Sequence, residues 1–407
     1  MLQSASPSIE SKSSWIAASV SVGILAIAFG APWLVTVALK DIAAEFGGAR
    51  SVPSLAVSLG WMGAAIGGIA MGRIADRVGV RWTVLFGAVM IATGLVLAAN
   101  GPAWQLHLGY GLFVGLIGIG GINAPLYIYV TRWFDRRRGS ALALISSGTY
   151  VAGAFWPPIF ERVIAYGGWR QAMLAFAALQ LLVILPLAAI FLKPAPELPT
   201  AGTPASATGR SASVLGWPSN LVFTLLCLAS FLCCVTMSMP QQHLVAFCTD
   251  LGIAASSGAL MVSVLLGMGI VSRQLWGVIS DRIGGLATLL IGSTSQALAM
   301  SAFLLTQQEA GLFAVSAAFG IGFSGLIPAY VLTARELFPA SEASWRIPVL
   351  LLASGSGMAA GGWLAGVLYD YFGFYAPAFL TGIGFNVANL AILLLLVSRQ
   401  TYVTARA

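Results

Sequence analysis

Gly72-Arg73-Ile74-Ala75-Asp76-Arg77-Val78-Gly79-Val80-Arg81 returns, shortened, as Gly277-Val278-Ile279-Ser280-Asp281-Arg282-Ile283-Gly284. Each copy reads Gly, three residues, Asp-Arg, one residue, Gly, and each closes the second apolar run of its half of the chain. Chance could produce one copy; two at equivalent places imply a duplicated structure. As tight turns with a topology charge, the copies would need only glycine and arginine. An aspartate beside each arginine predicts more: a network of charges and helix caps that holds the halves together on one side and breaks when they move. Gly72, Asp76, Arg77, Gly79 and Arg81, with Gly277, Asp281, Arg282 and Gly284, are therefore candidate gating residues.

The sequence around the two copies is overwhelmingly apolar. Of 407 residues, 58% are hydrophobic and 8% charged, against roughly a quarter charged in soluble domains; mean hydropathy is +0.91. So few charges cannot cover a water-facing surface, whereas lipid accepts apolar side chains outright. Crossing the hydrocarbon takes about 20 apolar residues. Apolar runs fall at about 16–38, 52–72, 82–99, 106–130, 139–160 and 170–192, then 218–240, 258–279, 287–305, 311–334, 345–366 and 375–397. The fold expected is an all-α polytopic membrane protein of twelve helices, in two six-helix bundles related by pseudo-two-fold symmetry. The one long polar connection, rich in Pro, Ser, Thr, Ala and Gly, divides the chain into 1–192, a linker at 193–216, and 217–407.

Net charge is +7. In a soluble protein that balance would suggest nucleic acid. Here the basic residues crowd alternate connections: Arg73, Arg77 and Arg81; Arg132 and Arg136 to Arg138; Lys193 and Arg210; Arg282; Arg335 and Arg346. Lys12, Arg399 and Arg406 join them at the termini, while the other side keeps Lys40, Arg50, Arg162 and Arg170. By the positive-inside rule both termini are expected in the cytoplasm, and nucleic acid is not an expected partner. Cys227, Cys233, Cys234 and Cys248 have no metal-site spacing. No nucleophile with a base, phosphate-cradling loop or ligand cluster is present, so neither enzyme, cofactor nor metal is expected.

Arg273 is the most informative single position. It precedes the Asp281-Arg282 loop by about two helical turns, hence about 12 Å deeper along the axis. A guanidinium there needs a polar cavity or a partner, and no acidic residue falls on the membrane portion of any expected helix. A carboxylate brought by a substrate is a natural counter-ion, because the guanidinium fork holds it bidentately. The bland alternative is an arginine satisfied by backbone carbonyls or reaching toward the loop.

Three further features point to a family: Gly120-Gly121-Ile122-Asn123-Ala124-Pro125-Leu126-Tyr127 in the fourth segment, Arg132-Trp133-Phe134 followed by Arg136 to Gly139 ahead of the fifth, and Arg273 in the eighth. With the duplicated Asp-Arg loops, they make the chain resemble the major facilitator superfamily over nearly its whole length. Within it, the chain is similar to the branch of monocarboxylate porters and oxalate/formate antiporters. That resemblance implies secondary active transport of a small monocarboxylate such as lactate or pyruvate, by alternating access; the single site arginine, Arg273, and His243 are the candidates for coupling a proton as co-substrate. It also implies a multi-pass protein of a bacterial inner membrane, working as a monomer among lipids. The matching arginine of the porters meets the substrate carboxylate. Two departures matter: animal members place an aspartate where this chain has Gly269, and a lysine where the alignment gives Trp33, so a proton relay built on those groups is absent. Anion exchange of a dicarboxylate is the alternative, weakened because the eleventh segment has no cation in its core; drug or sugar efflux is a weaker one.

The remaining candidates are substrate contacts. His243, after Pro240-Gln241-Gln242, is placed to take the coupled proton, to hydrogen-bond the substrate, or to sit at the interface. Asn123, Tyr127 and Tyr330 are polar contacts, and Phe323, Trp156 and Trp33 an apolar wall, although each aromatic has packing as its commoner role.

Overall fold

The computed structural model describes residues 10–134, 137–194 and 213–404. Most of the expected linker 193–216, with Arg136, Arg210 and Arg406, lies outside them. Among the described residues eleven helices are long and apolar enough to cross a membrane. One of them, Arg138–Phe191, has 54 residues and would span about 80 Å if straight. At Gly168, φ is 77° and ψ 166°, a conformation that breaks the helix and that glycine tolerates. The chain reverses there, and the element makes two crossings. Twelve crossings follow: α1 (Lys12–Val37), α2 (Ser51–Val78), α3 (Val80–Asn100), α4 (Ala103–Thr131), α5 (138–167), α6 (169–191), α7 (Ser219–Asp250), α8 (Ala255–Ile283), α9 (Gly285–Leu305), α10 (Glu309–Leu337), α11 (Ala343–Phe372) and α12 (Ala376–Thr404). An even number of crossings brings the first and last described residues to one face. Glu10 accepts from the Arg137 N–H there, and Arg399 lies over Trp217.

Several helices are interrupted where the residues require it. In α1 the helix yields at Phe29, ahead of Pro32. In α4 the run Gly109–Ile119 winds as a π-helix. Small residues there let backbones touch. An added Cβ at Gly115 would overlap the Gly60 carbonyl, and one at Gly67 the Leu116 carbonyl, so α2 and α4 meet backbone to backbone. The second half repeats the device: a Cβ at Gly320 of α10 would overlap the Leu265 carbonyl of α8. Gly67→Val should therefore lose more than the roughly 1–3 kcal/mol usual for overpacking, because backbone cannot rotate away as a side chain does. Thermal unfolding followed by size-exclusion chromatography would show a lower Tm or an aggregated peak, and Gly277→Ala, which meets open space, would show neither.

The duplicated motif folds the same way twice. α2 ends at Val78 and α3 starts at Val80, joined by Gly79 at φ 92°; α8 ends at Ile283 and α9 starts at Gly285, joined by Gly284 at φ 79°. Positive φ at each second glycine explains why that position needs glycine. The expected network across the halves is not what the motif makes in this state. Asp76 pairs with Arg132 at 2.7 Å, both partly exposed, and Arg81 donates to the Ala189 carbonyl. Glu336 of α10 accepts from the Gly285 N–H at 2.9 Å. All three contacts stay within one half. Among the described residues Arg77, Asp281 and Arg282 make no ion pair.

The ion pairs that join the halves lie on the face opposite the termini. Arg50, at the head of α2, holds Asp250 at the end of α7 through two bonds of 2.6 Å, and Lys40 adds a third at 3.0 Å. Asp370 of α11 accepts from the Arg50 and Ser51 N–H groups at 2.7 and 2.9 Å, where a helix N-terminus favours a carboxylate. The Arg50 guanidinium lies 3.5 Å from the Tyr369 ring centroid. Burial disfavours the charge on Arg50, but Asp250 and the Tyr375 hydroxyl outweigh it and raise its pKa above the ordinary arginine value. The arginine is a fixed cation. This face is latched by ion pairs; among the described residues none joins the halves on the face bearing the motif turns.

Candidate functional site

Between the halves, lined by residues from within the crossing helices, lies a cavity of about 180 Å³. α1 contributes Phe29, Pro32 and Trp33; α2 Trp61; α4 Asn123 and Tyr127; α5 Thr149 and Tyr150. From the other half come Met237 and Gln241 of α7, Leu266 and Arg273 of α8, Phe323 and Ile327 of α10, and Met358 of α11. Asn123 and Tyr127 face it together because they are four residues apart on one helix.

Arg273 is the charged group in this wall. Its Nη1 donates to the Ser146 carbonyl of α5 at 3.4 Å, and its guanidinium carbon stands 5.0 Å from the Tyr150 ring centroid. Tyr150 stacks on Phe323 with centroids 6.1 Å apart. Among the described residues no carboxylate pairs with Arg273. Gly269, one turn earlier, leaves room for that stack, since a Cβ there would come 2.9 Å from two Tyr150 ring carbons. A long carbonyl bond and a ring face leave most of the five guanidinium N–H groups free for an anion. Two amide atoms are also unpartnered: Asn123 Oδ1 and Gln241 Nε2.

The structure thus brings together Arg273, Asn123, Tyr127, Phe323 and Trp33. It sets three candidates apart. His243 is fully buried but outside the cavity. Its Nε2 is 2.8 Å from the Gly362 carbonyl and 3.3 Å from Ser54 Oγ, and its Nδ1 2.9 Å from the Tyr375 hydroxyl. A carbonyl only accepts, so Nε2 carries the proton and Nδ1 accepts from Tyr375, which in turn accepts from Arg50 at 2.8 Å. The imidazole is thus hydrogen-bonded into the latch, outside the cavity wall. Tyr330 donates to Asn389 Oδ1 at 2.9 Å inside the second half. Trp156 donates to the Ala26 carbonyl at 2.7 Å and stacks on Phe160, behind the wall.

Gln241 is the polar group that sequence reading passed over in favour of His243. The helix decides between them: two residues turn about 200°, so one faces the cavity and the other away. Tyr150 was also missed. Its signal is the bare Gly269, whose lack of a side chain makes space for a large neighbour.

A twelve-crossing chain with a cavity between its halves has the build of a membrane carrier. The family model described as Major Facilitator Superfamily matches residues 22–344 and 226–406. The chain belongs to the major facilitator superfamily; it is a transporter and not an enzyme. It is 25% identical over 348 residues to monocarboxylate transporter 13 of Bos taurus, covering 85% of this chain and 79% of that one. It is 25% identical over 259 residues to the agnestins efflux protein AgnL12 of Paecilomyces divaricatus, covering 63% and 57%. Among solved structures, a peptide transporter POT in complex with sulfate superposes with a TM-score of 0.73 at 14% identity, covering 94% of each chain. That likeness shows the fold.

Proposed function

We propose that the protein carries a small monocarboxylate, lactate- or pyruvate-like, by alternating access with proton symport. The observation that carries the reading is Arg273: a cation in the cavity wall, unpaired by any described carboxylate, with donors to spare. A substrate carboxylate would neutralise it and so reduce the penalty of closing a charge inside the membrane. Asn123 Oδ1 has no hydrogen-bond partner and can accept from a donor on the substrate, such as a 2-hydroxyl. The similarity to a monocarboxylate transporter supports the same class. Arg346, the cation nearest the eleventh segment, is buried against Glu342, Ser219 and Asn220 and away from the cavity; one cation suits one carboxylate, which disfavours a dicarboxylate. The six aromatic and few polar residues of the wall disfavour sugars.

We place the termini and the motif turns in the cytoplasm of a bacterial inner membrane, so that the latch is external and the described state closed to the outside. With His243 held in that latch, the coupling proton has other groups to visit: when the latch opens, Asp250 loses the Arg50 guanidinium and Asp370 the Arg50 and Ser51 N–H groups. A monomer of two rocking bundles, 1–192 and 217–407, suffices for this cycle. In proteoliposomes, uptake of labelled L-lactate should rise several-fold under an inward proton gradient. Uptake indifferent to the gradient would exclude the symport; stimulation by internal oxalate instead would favour exchange.

A further inference from the structure

Gln241 carries a feature the short acids do not use. It is 5% exposed, lines the cavity, and its Nε2 has no hydrogen-bond partner. A buried amide N–H without a partner is destabilising, so its position calls for an acceptor.

The depth of Gln241 says which acceptor. It lies nine residues before the end of α7 at Asp250, about 13 Å below the latched face. Arg273 lies eighteen residues after the start of α8 at Ala255, about 27 Å below it. The arginine does not reach upward to close that gap of about 13 Å, because its head is tied to the Ser146 carbonyl and the Tyr150 ring. Side chains on a helix tilt toward its N-terminus, so Gln241 leans toward Arg273 by several ångströms and the rest stays open. A three-carbon acid held by Arg273 spans about 2.5 Å between its end carbons and leaves Gln241 bare. The cavity that holds both groups is walled mainly by aromatic and aliphatic side chains, among them Trp33, Trp61, Tyr150, Phe323 and Leu266.

We infer that the preferred substrate is a longer monocarboxylate with a flat apolar body and a hydrogen-bond acceptor, a hydroxyl or carbonyl, at its far end, where Gln241 receives it. This rests on the carboxylate reading of Arg273 and extends it from the head of the substrate to its tail.

The test is isothermal titration of the purified protein in detergent with three probes: L-lactate, 3-phenylpropanoate and 3-(4-hydroxyphenyl)propanoate. The hydroxylated acid should bind roughly tenfold more tightly than its phenyl counterpart, the contribution of one buried hydrogen bond. Gln241→Leu should erase that preference while leaving 3-phenylpropanoate binding within twofold. Equal affinities of the two aromatic acids for the parent would overturn the inference, and this comparison needs no variant to fold. A preference that survives in Gln241→Leu would overturn it too. If lactate binds and neither aromatic acid does, the tail subsite fails and the Arg273 reading stands; if none of the three binds, both fail.

Discussion

Arg50→Ala opens the latched face. Spin labels at the exposed positions Ala44 and Ala254, in a cysteine-free background, should show the inter-label distance shift from a short to a long population. The reasoning is one of unpaired charge. Arg50 makes two bonds to Asp250 and one to Tyr375, and lies against the Tyr369 ring, with its side chain only 7% exposed. Removing one member of a buried pair destabilises that arrangement by about 3–5 kcal/mol. Asp250 keeps some water and Lys40, which reduces the effect to about 2 kcal/mol, a roughly thirtyfold change in the ratio of states. Asp250→Asn should act in the same direction, and the double variant should lose little beyond either single one. An unchanged distance distribution in both variants would mean that the apolar contacts beneath the ions, and not the ions, hold this face shut. Lys40→Ala, at an exposed cation, should move the distribution little.

Arg273→Ala should reduce carboxylate transport by at least a hundredfold without loss of folded protein. The guanidinium has no carboxylate partner among the described residues, so truncating it orphans no buried anion and leaves the fold intact. What disappears is a charge-assisted bidentate contact in a low-dielectric cavity, where one such bond is worth about 1.5–3 kcal/mol and a fork about twice that. Arg273→Lys keeps the charge but loses the fork and the stack on Tyr150, and should retain only a few per cent of the parent's uptake. Counterflow of labelled lactate across proteoliposomes checks both. A lysine variant as active as the parent would show that charge alone is recognised.

Much of this was legible before any coordinates. The twelve crossings follow from the hydropathy pattern, including the pair at 139–160 and 170–192 that the structure runs through one helical element bent at Gly168. The turn at each Asp-Arg motif follows from the glycine beyond it. The cavity membership of Arg273, Asn123 and Tyr127 was also within reach, since polar groups deep in the membrane have few other places to go; Trp33 and Phe323 line the cavity too, but the sequence reads an aromatic there as packing just as readily. The latch was not legible. Arg50, Asp250 and Asp370 are separated by up to 320 residues, and nothing local marks charges at helix ends as partners. His243 misled for the opposite reason. A histidine next to an expected cavity suggests proton chemistry, but helix rotation turns it toward Tyr375 and presents Gln241 instead. Tyr330 and Trp156 share that failure: in an all-round apolar helix no hydrophobic stripe tells which face looks inward.

Equilibrium binding of L-lactate to the purified parent and to Arg273→Ala, each shown to be folded by its Tm, tests the carboxylate pairing apart from any step of the transport cycle. Saturable binding by the parent that is lost in the variant, and that competes with other monocarboxylates, is the expected result. Undiminished lactate binding by a folded Arg273→Ala protein would contradict the role assigned to this arginine.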